Sequence, residues 1–325
     1  MNNNTAFDPI NCTYATCSVE EWGQLAYIPS LAGNALYAAI FSLTLIAQLI
    51  LGVYHGTWGF MVGVVVGNAL EILGYAYRIQ LHYDDFNNNS FIIYLVGLTI
   101  APAFYSGAIY LCLARIIAVY GTSLSLLSPR AITTIFIGCD FLSLVLQAAG
   151  GAVASLAISK SLLQTGINIM IAGLSTQVVS TTAFCCICLQ MMFRVARRPS
   201  LVNQNSQNLR KTIKFRFFLW ALAIATVAIL IRCSFRVAEL SKGFQSSIAN
   251  NQVEFMVLDG AMMSIAVMVL TLGHPGPALG NMWQQGNFKL CGSRKSQPMH
   301  VELCGPVWQQ GNPNSVVQES RREKY

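Results

Sequence analysis

Residues 217–239 read FFLWALAIATVAILIRCSFRVAE. The run from Phe217 to Ile231 contains no ionisable side chain, and about 20 apolar residues carry a helix across the hydrocarbon layer of a bilayer. The stretch then closes on Arg232, Arg236 and Glu239, spaced by four and by three. That spacing lines all three up on one helical face. An ion inside the membrane costs several kcal/mol unless it is paired or hydrated, so this stripe must look into protein or water and not into acyl chains.

Six further runs of the same kind lie near 31–53, 58–80, 91–114, 131–155, 167–192 and 253–273. Each is continuously apolar, whereas a membrane-spanning strand would show about ten residues of alternating polarity. The mean hydropathy of +0.52 and the 10% of charged residues exclude a water-soluble globule of this length. The expected fold is an all-α polytopic bundle of seven transmembrane helices. It divides into a segment 1–30 ahead of the bundle, a membrane domain 31–277, and a tail 278–325 expected to be disordered.

Lysine and arginine in short loops set orientation. Arg194, Arg197, Arg198, Arg210, Lys211, Lys214 and Arg216 crowd the connection after span five, and Lys289, Arg294, Lys295, Arg321, Arg322 and Lys324 lie in the tail. With seven spans both regions fall on one side, which places the C-terminus in the cytosol and the N-terminus outside. The net charge of +7 is thus a topology signal and not a nucleic-acid footprint, although the loop cluster also suits anionic headgroups. Sequons at Asn3 and Asn11 sit on the external side, and Asn88 begins a third close to span three. Cys12 and Cys17 share that oxidising side and can form a small disulfide loop. No cleaved signal peptide is apparent, and span one serves as the uncleaved signal. Cys185, Cys186 and Cys188 lie in an apolar helix without histidine or carboxylate beside them, so no metal site is expected.

The charges inside the spans carry the most information. Gly59, Gly63 and Gly67 form a small-residue ridge in span two, Glu71 continues the stripe, and Arg78 follows two turns later. Gly150 and Gly151 offer another close-packing point in span four. Following each span's direction, Arg78, Arg232, Arg236, Glu239, Glu254 and Asp259 fall in the outer half of the membrane, and Glu71 and Asp140 fall nearer its middle. With Gln147 they outline an outward-opening polar chamber. Two readings stay open: a static salt-bridge network that fixes helix register, and a hydrated site that handles headgroups or protons. Pro102 withdraws a helical donor from the carbonyl one turn earlier in span three.

The chain resembles the fungal seven-span lipid-translocating exporters, the group of the aminocholesterol-resistance proteins and the sphingoid long-chain base exporter. The resemblance rests on Tyr27-x-Pro29-Ser30 with Asn34, Glu71-x-x-Gly74-Tyr75-x-x-Arg78, Ala101-Pro102 with Tyr110, and Asp140 followed by Gln147, Gly150 and Gly151. It continues through Gly166, Gly173 and Gln177, Arg232-x-x-Phe235-Arg236-x-x-Glu239 with Gly243, Glu254 with Asp259, and His274-Pro275-Gly276. It implies movement of amphipathic lipids or related lipophilic compounds toward the outer leaflet, often with stress or drug resistance. Membrane lipids are then the partners and no cofactor is implied. Plasma membrane is the favoured address, with vacuolar or endosomal membranes as alternatives.

A seven-span receptor for a lipophilic ligand shares the same plan. Against it, span three ends on Ala114-Arg115-Ile116 and not on an acidic-arginine-aromatic triplet, and span seven lacks Asn-Pro-x-x-Tyr. Span seven also lacks the lysine of a retinal pump. Asp140 and Asp259 lack the flanking residues of an intramembrane aspartyl protease, and no His-Glu-x-x-His, Gly-x-Ser-x-Gly or phosphate-binding loop is present, so an enzyme is not expected. The sequence Trp-Gln-Gln-Gly-Asn occurs twice, at 283–287 and at 308–312. Nothing in the sequence fixes an oligomeric state.

Overall fold

A computed structural model describes Leu25 and residues 27–121, 128–156, 159–197, 207–242, 251–280 and 283. Asn3, Asn11, Cys12, Cys17, Gly243 and the second Trp-Gln-Gln-Gly-Asn copy lie outside the described residues. Among the described residues every regular element is helical. The first five are α1 (Leu31–His55), α2 (Trp58–Tyr83), α3 (Asn88–Tyr120), α4 (Pro129–Ser155) and α5 (Lys160–Arg197). A short α6 (Gln207–Lys211) precedes α7 (Ile213–Lys242). The last span is composite: α8 (Gln252–Phe255), a π-helical turn at Met256–Ala261, and α9 (Met262–Leu272), with α10 (Pro275–Leu279) after it.

Seven of these helical stretches are long and apolar enough to cross a membrane, at the seven places read from the sequence. This is an integral membrane protein. The helices outrun the apolar stretches, most visibly α5, which covers 160–197 where hydropathy marks 167–192. Hydropathy senses only the acyl-chain layer, while backbone hydrogen bonding carries a helix on into the headgroup region.

Local sequence sets the ends. The Ser30 side chain accepts from the Gly33 N–H and opens α1, and Gly56 closes it in the left-handed conformation at φ 64°. A side chain there would be strained, and the reversal it permits lets α2 begin two residues later. Asn87 caps α3 by accepting from Asn89 and Ser90. Ser128 with Pro129 at the first helical position starts α4.

Sequence neighbours pack side by side from α1 to α5, α5 meets α7, α7 meets α9, and α9 returns to α1, closing a ring. The central helix is α3, the most buried of the seven, which also reaches α7 across the interior. The outer surface is apolar, with Leu43, Ile50, Phe141, Val179, Trp220 and Leu272 all exposed, as a lipid-facing wall requires.

The glycine ridge of α2 seats α3. A Cβ on Gly63 would lie 3.1 Å from both the Ala108 Cβ and the Phe104 carbonyl oxygen, and one on Gly67 would lie 2.7 Å from the Tyr105 ring. Gly59 faces Leu111 in the same way, at 3.2 Å. In α4, a Cβ on Gly150 would come within 2.6 Å of the Met170 backbone nitrogen on α5, whereas one on Gly151 meets nothing within 4 Å. Only the first of those two glycines marks a close helix crossing.

Candidate polar site inside the bundle

The site is built on two departures from regular helix. Pro102 has no N–H to offer the Leu98 carbonyl one turn earlier in α3, and that carbonyl accepts a hydrogen bond from Arg232 Nη2 on α7. The π-helical turn holds Asp259, whose Oδ1 lies 2.8 Å from Arg232 Nε. The Nε–H is not aimed along a hydrogen-bond line at that oxygen, so charge rather than alignment holds the pair. The widened turn is braced from α1, where the Tyr37 hydroxyl donates to the Met256 carbonyl at 2.7 Å and its ring occupies the space that a side chain at residue 260 would need. A π turn displaces side chains from the α-helical register and frees backbone groups. Here it aims a carboxylate at α7.

One turn further along α7, Arg236 Nη1 donates to Glu239 Oε2 at 2.7 Å, and its Nη2 donates to Thr99 Oγ1 at 3.2 Å. Leu98 and Thr99 thus hold both arginines of the stripe against the same turn of α3.

Arg78 on α2 is held differently. Its Nη2 donates to the Tyr27 hydroxyl at 2.5 Å, and its guanidinium carbon lies 3.7 Å from the centre of the Phe255 ring, with Tyr94 at 5.2 Å and Tyr27 at 5.8 Å. An arginine over aromatic faces keeps favourable electrostatics after losing water. Its Nε and Nη1 form no hydrogen bond. Two turns away, Glu71 is wholly buried and neither carboxylate oxygen receives a hydrogen bond. The fields of Asp259, Arg232 and Arg236 act on it. Between them the Tyr75 hydroxyl is also without a partner, its ring stacked on Phe41 and beside Tyr37.

Glu71, Arg78, Arg232, Arg236, Glu239 and Asp259 therefore come together from α2, α7 and the last span. Each is at most 8% exposed. The bundle interior, not lipid, surrounds these charges; Arg232 and Arg236 pair with Asp259 and Glu239, while Arg78 rests on aromatic rings and the Tyr27 hydroxyl. Glu254 stands apart at the start of α8, half-buried and accepting from Asn251 at 2.9 Å.

Asp140 and Gln147 form a second cluster. The Tyr110 hydroxyl of α3 donates to Asp140 Oδ2 at 3.0 Å, inside an aromatic group with Phe184 at 4.6 Å and Phe136 at 5.5 Å between ring centres. Gln147 donates to Ser143 at 2.9 Å and to Gln177 of α5 at 3.4 Å. The set read from the sequence as one chamber is thus two polar groups, one on α2, α3, α7 and the last span, the other on α3, α4 and α5.

Sequence reasoning missed Tyr37, Tyr94, Thr99 and Phe255 as partners, and it missed the π turn. The one available signal was Pro102, whose position announces a free carbonyl at Leu98. Among the described residues no cluster of histidine, cysteine, aspartate or glutamate is arranged to hold a metal, and Cys185, Cys186 and Cys188 are free thiols.

The ends of the bundle carry further fixed contacts. Leu25 N–H donates to Asp85 Oδ2 at 3.3 Å, and His82 Nδ1 lies 2.7 Å from the Pro29 carbonyl, so the segment ahead of α1 is strapped onto the end of α2. At the opposite end Trp283 is buried, its ring 3.8 Å from the Arg115 guanidinium carbon and its carbonyl accepting from Arg115.

A family model matches the part of the chain that holds the resemblance motifs from Glu71 onward. It is described as RTA1 like protein and covers residues 64–282. The chain belongs to the RTA1-like family. Similar curated RTA1-like proteins come from Saccharomyces cerevisiae. The sphingoid long-chain base transporter RSB1 is 32% identical across 77% of this chain and 72% of its own length. Protein RTA1 is 26% identical across 77% and 84%, and protein RTM1 is 28% identical across 67% and 68%. No solved structure matches. The RTA1-like region contains every member of both polar clusters, while α1 with its Tyr37 brace and the Leu25–Ser30 strap precede it.

Proposed function

We propose that this protein moves amphipathic lipids or related lipophilic compounds across the membrane, with the headgroup passing the interior cluster while the tails remain in hydrocarbon. The observation that carries the reading is Glu71: a fully buried carboxyl group whose two oxygens have no donor, within the fields of Asp259, Arg232 and Arg236. A purely structural network saturates its members, because an unmade hydrogen bond to a buried charge costs more than the net gain of a made one. A buried acceptor without a donor beside paired charges suits a guest that brings its own donors, such as an ammonium or hydroxyl headgroup. The relative named for sphingoid long-chain base transport supports the same chemistry.

The wider reading follows from this. The basic loops support a cytosolic C-terminus; on that orientation the strapped end of α2 faces outward and movement runs toward the outer leaflet, with the plasma membrane the favoured address. Protection from toxic lipophilic compounds is the expected cellular consequence. The chain carries no nucleotide-binding loop, so any uphill movement draws on a gradient. Glu71, Arg78, Arg232, Arg236, Glu239 and Asp259 bind and orient a headgroup and catalyse no covalent step.

The test is a flip assay in liposomes containing the purified protein, with labelled sphingoid base, phospholipid and sterol offered in parallel. Faster movement of one class relative to protein-free liposomes supports the reading. Equal rates for all three with and without protein would refute it.

A further inference from the structure

We propose that Asp140 is a proton-carrying carboxyl, distinct from the headgroup cluster, that couples transport to a proton gradient; this rests on the transporter reading above. Asp140 is 4% exposed near the middle of α4. One oxygen accepts from Tyr110, and the other, Oδ1, has the Ser180 hydroxyl near it but no donor aligned to form a hydrogen bond. The elements packed around it supply no countercharge. Tyr110 of α3 and Ser180 of α5 are the neutral hydroxyls that face it, and Ser106 and Thr181 stand behind the Tyr110 hydroxyl. From α7 comes the Cys233 thiol. Among the described residues no lysine or arginine acts on the carboxyl directly. Two guanidinium groups stand close to carboxylates in the other cluster, at 2.8 and 2.7 Å, so the contrast lies within one molecule.

A carboxylate enclosed by aromatic rings and hydroxyls without a cation is stable only when it binds one, and a proton is the cation that one vacant oxygen satisfies. A divalent metal would need several further charged or carbonyl oxygens, and the described residues provide no such group. The step is simple. A water-borne proton from one face forms an O–H bond on Oδ1, and the same bond breaks to return the proton to water at the other face; no electrons move. Cys233 lies between the two clusters, since the fields of Arg232, Asp140 and Asp259 all act on it. The charge on Asp140 is therefore felt one residue from the arginine that holds Leu98 and Asp259.

The experiment uses full-length protein in liposomes loaded with a pH-sensitive dye. Labelled sphingoid base is added with and without an imposed pH gradient. In the wild type, lipid movement is accompanied by dye-reported proton movement and is accelerated several-fold by the gradient. In Asp140→Asn, which keeps the shape and the Tyr110 bond, the lipid rate no longer responds to the gradient, whatever its residual value. Infrared difference spectra across a pH titration show a protonated-carboxyl band in the wild type that the variant lacks. Wild-type lipid movement without any proton movement, or undiminished coupling in Asp140→Asn, overturns the proposal while leaving the transporter reading intact. Absence of lipid movement in the wild type sinks the transporter reading itself, and the coupling with it. If Asp140→Asn does not fold, Tyr110→Phe and Ser180→Ala decide, since both keep the carboxyl: a displaced pH profile of transport supports the proposal, and an unchanged profile overturns it.

Discussion

Pro102 of α3 determines what Arg232 of α7 holds. By withholding an N–H from the Leu98 carbonyl it leaves an acceptor facing inward, and Arg232 takes it. Two elements with no sequence proximity are joined by a backbone atom that a regular helix would have consumed.

Pro102→Ala tests that relationship. The new N–H competes for Leu98, and relief of the proline recovers up to about 3 kcal/mol of helix propensity, against a lost charge-assisted bond of roughly 1.5–3 kcal/mol. Thermal unfolding in detergent should change little or rise, while lipid translocation falls about tenfold. A variant with unchanged translocation would remove Leu98 from the mechanism.

The Arg232–Asp259 pair separates charge from packing. Removing one partner of a buried pair costs about 3–5 kcal/mol, and replacing both by apolar groups costs much less. Arg232→Met and Asp259→Leu should each destabilise strongly, and the double variant should recover most of the loss, with a coupling energy above about 1 kcal/mol. Translocation should remain low in all three. Additive losses in melting temperature would show that the two residues do not interact.

Gly150 and Gly151 are adjacent but not equivalent. A methyl on Gly150 meets the backbone of α5 at 2.6 Å, and overpacking of that kind costs about 1–3 kcal/mol. A methyl on Gly151 has free space, and alanine is favoured over glycine within a helix by up to about 1 kcal/mol. Gly150→Ala should lower the melting temperature and Gly151→Ala should leave it level or raise it. The reverse order would contradict the α4–α5 crossing.

Much of the fold was legible because lipid imposes one rule, that long apolar segments form helices, and the seven spans obey it. The convergence of Arg232, Arg236 and Glu239 on one face followed from their spacing, and the glycine ridge of α2 announced its close neighbour. What the sequence hid is geometric. No local signal marks Met256–Ala261 as a π turn, since Tyr37, more than 200 residues away, holds it open. Depth along a span groups Asp140 with the arginine cluster, but depth says nothing about which side of the span a residue faces within the ring.

The strap over the end of α2 should respond to pH. Burial pushes the Asp85 carboxyl up to about 7 from its usual 3.8, despite the Leu25 N–H bond that opposes the shift. The docked form thus binds the proton more tightly than an open, hydrated form. Linkage then makes docking strongest below about pH 4, weaker as pH rises, and fully weakened above about 7. Hydrogen exchange at Leu25, Tyr27 and Ile28, corrected for the intrinsic pH dependence of exchange, should show protection falling between about pH 4 and pH 7. Asp85→Asn should abolish that slope. Protection that rises with pH would contradict the assignment.

The most direct test of the central claim replaces the vacant acceptor itself. Glu71→Gln keeps size and burial but removes the charge and adds donors of its own. Translocation of labelled sphingoid base is measured in liposomes for this variant, the wild type and Gly151→Ala, each first shown to be folded. Glu71→Gln is expected to lose at least tenfold in rate and Gly151→Ala to move lipid as the wild type does. A folded Glu71→Gln protein that moves lipid at the wild-type rate would contradict a headgroup site at this carboxylate.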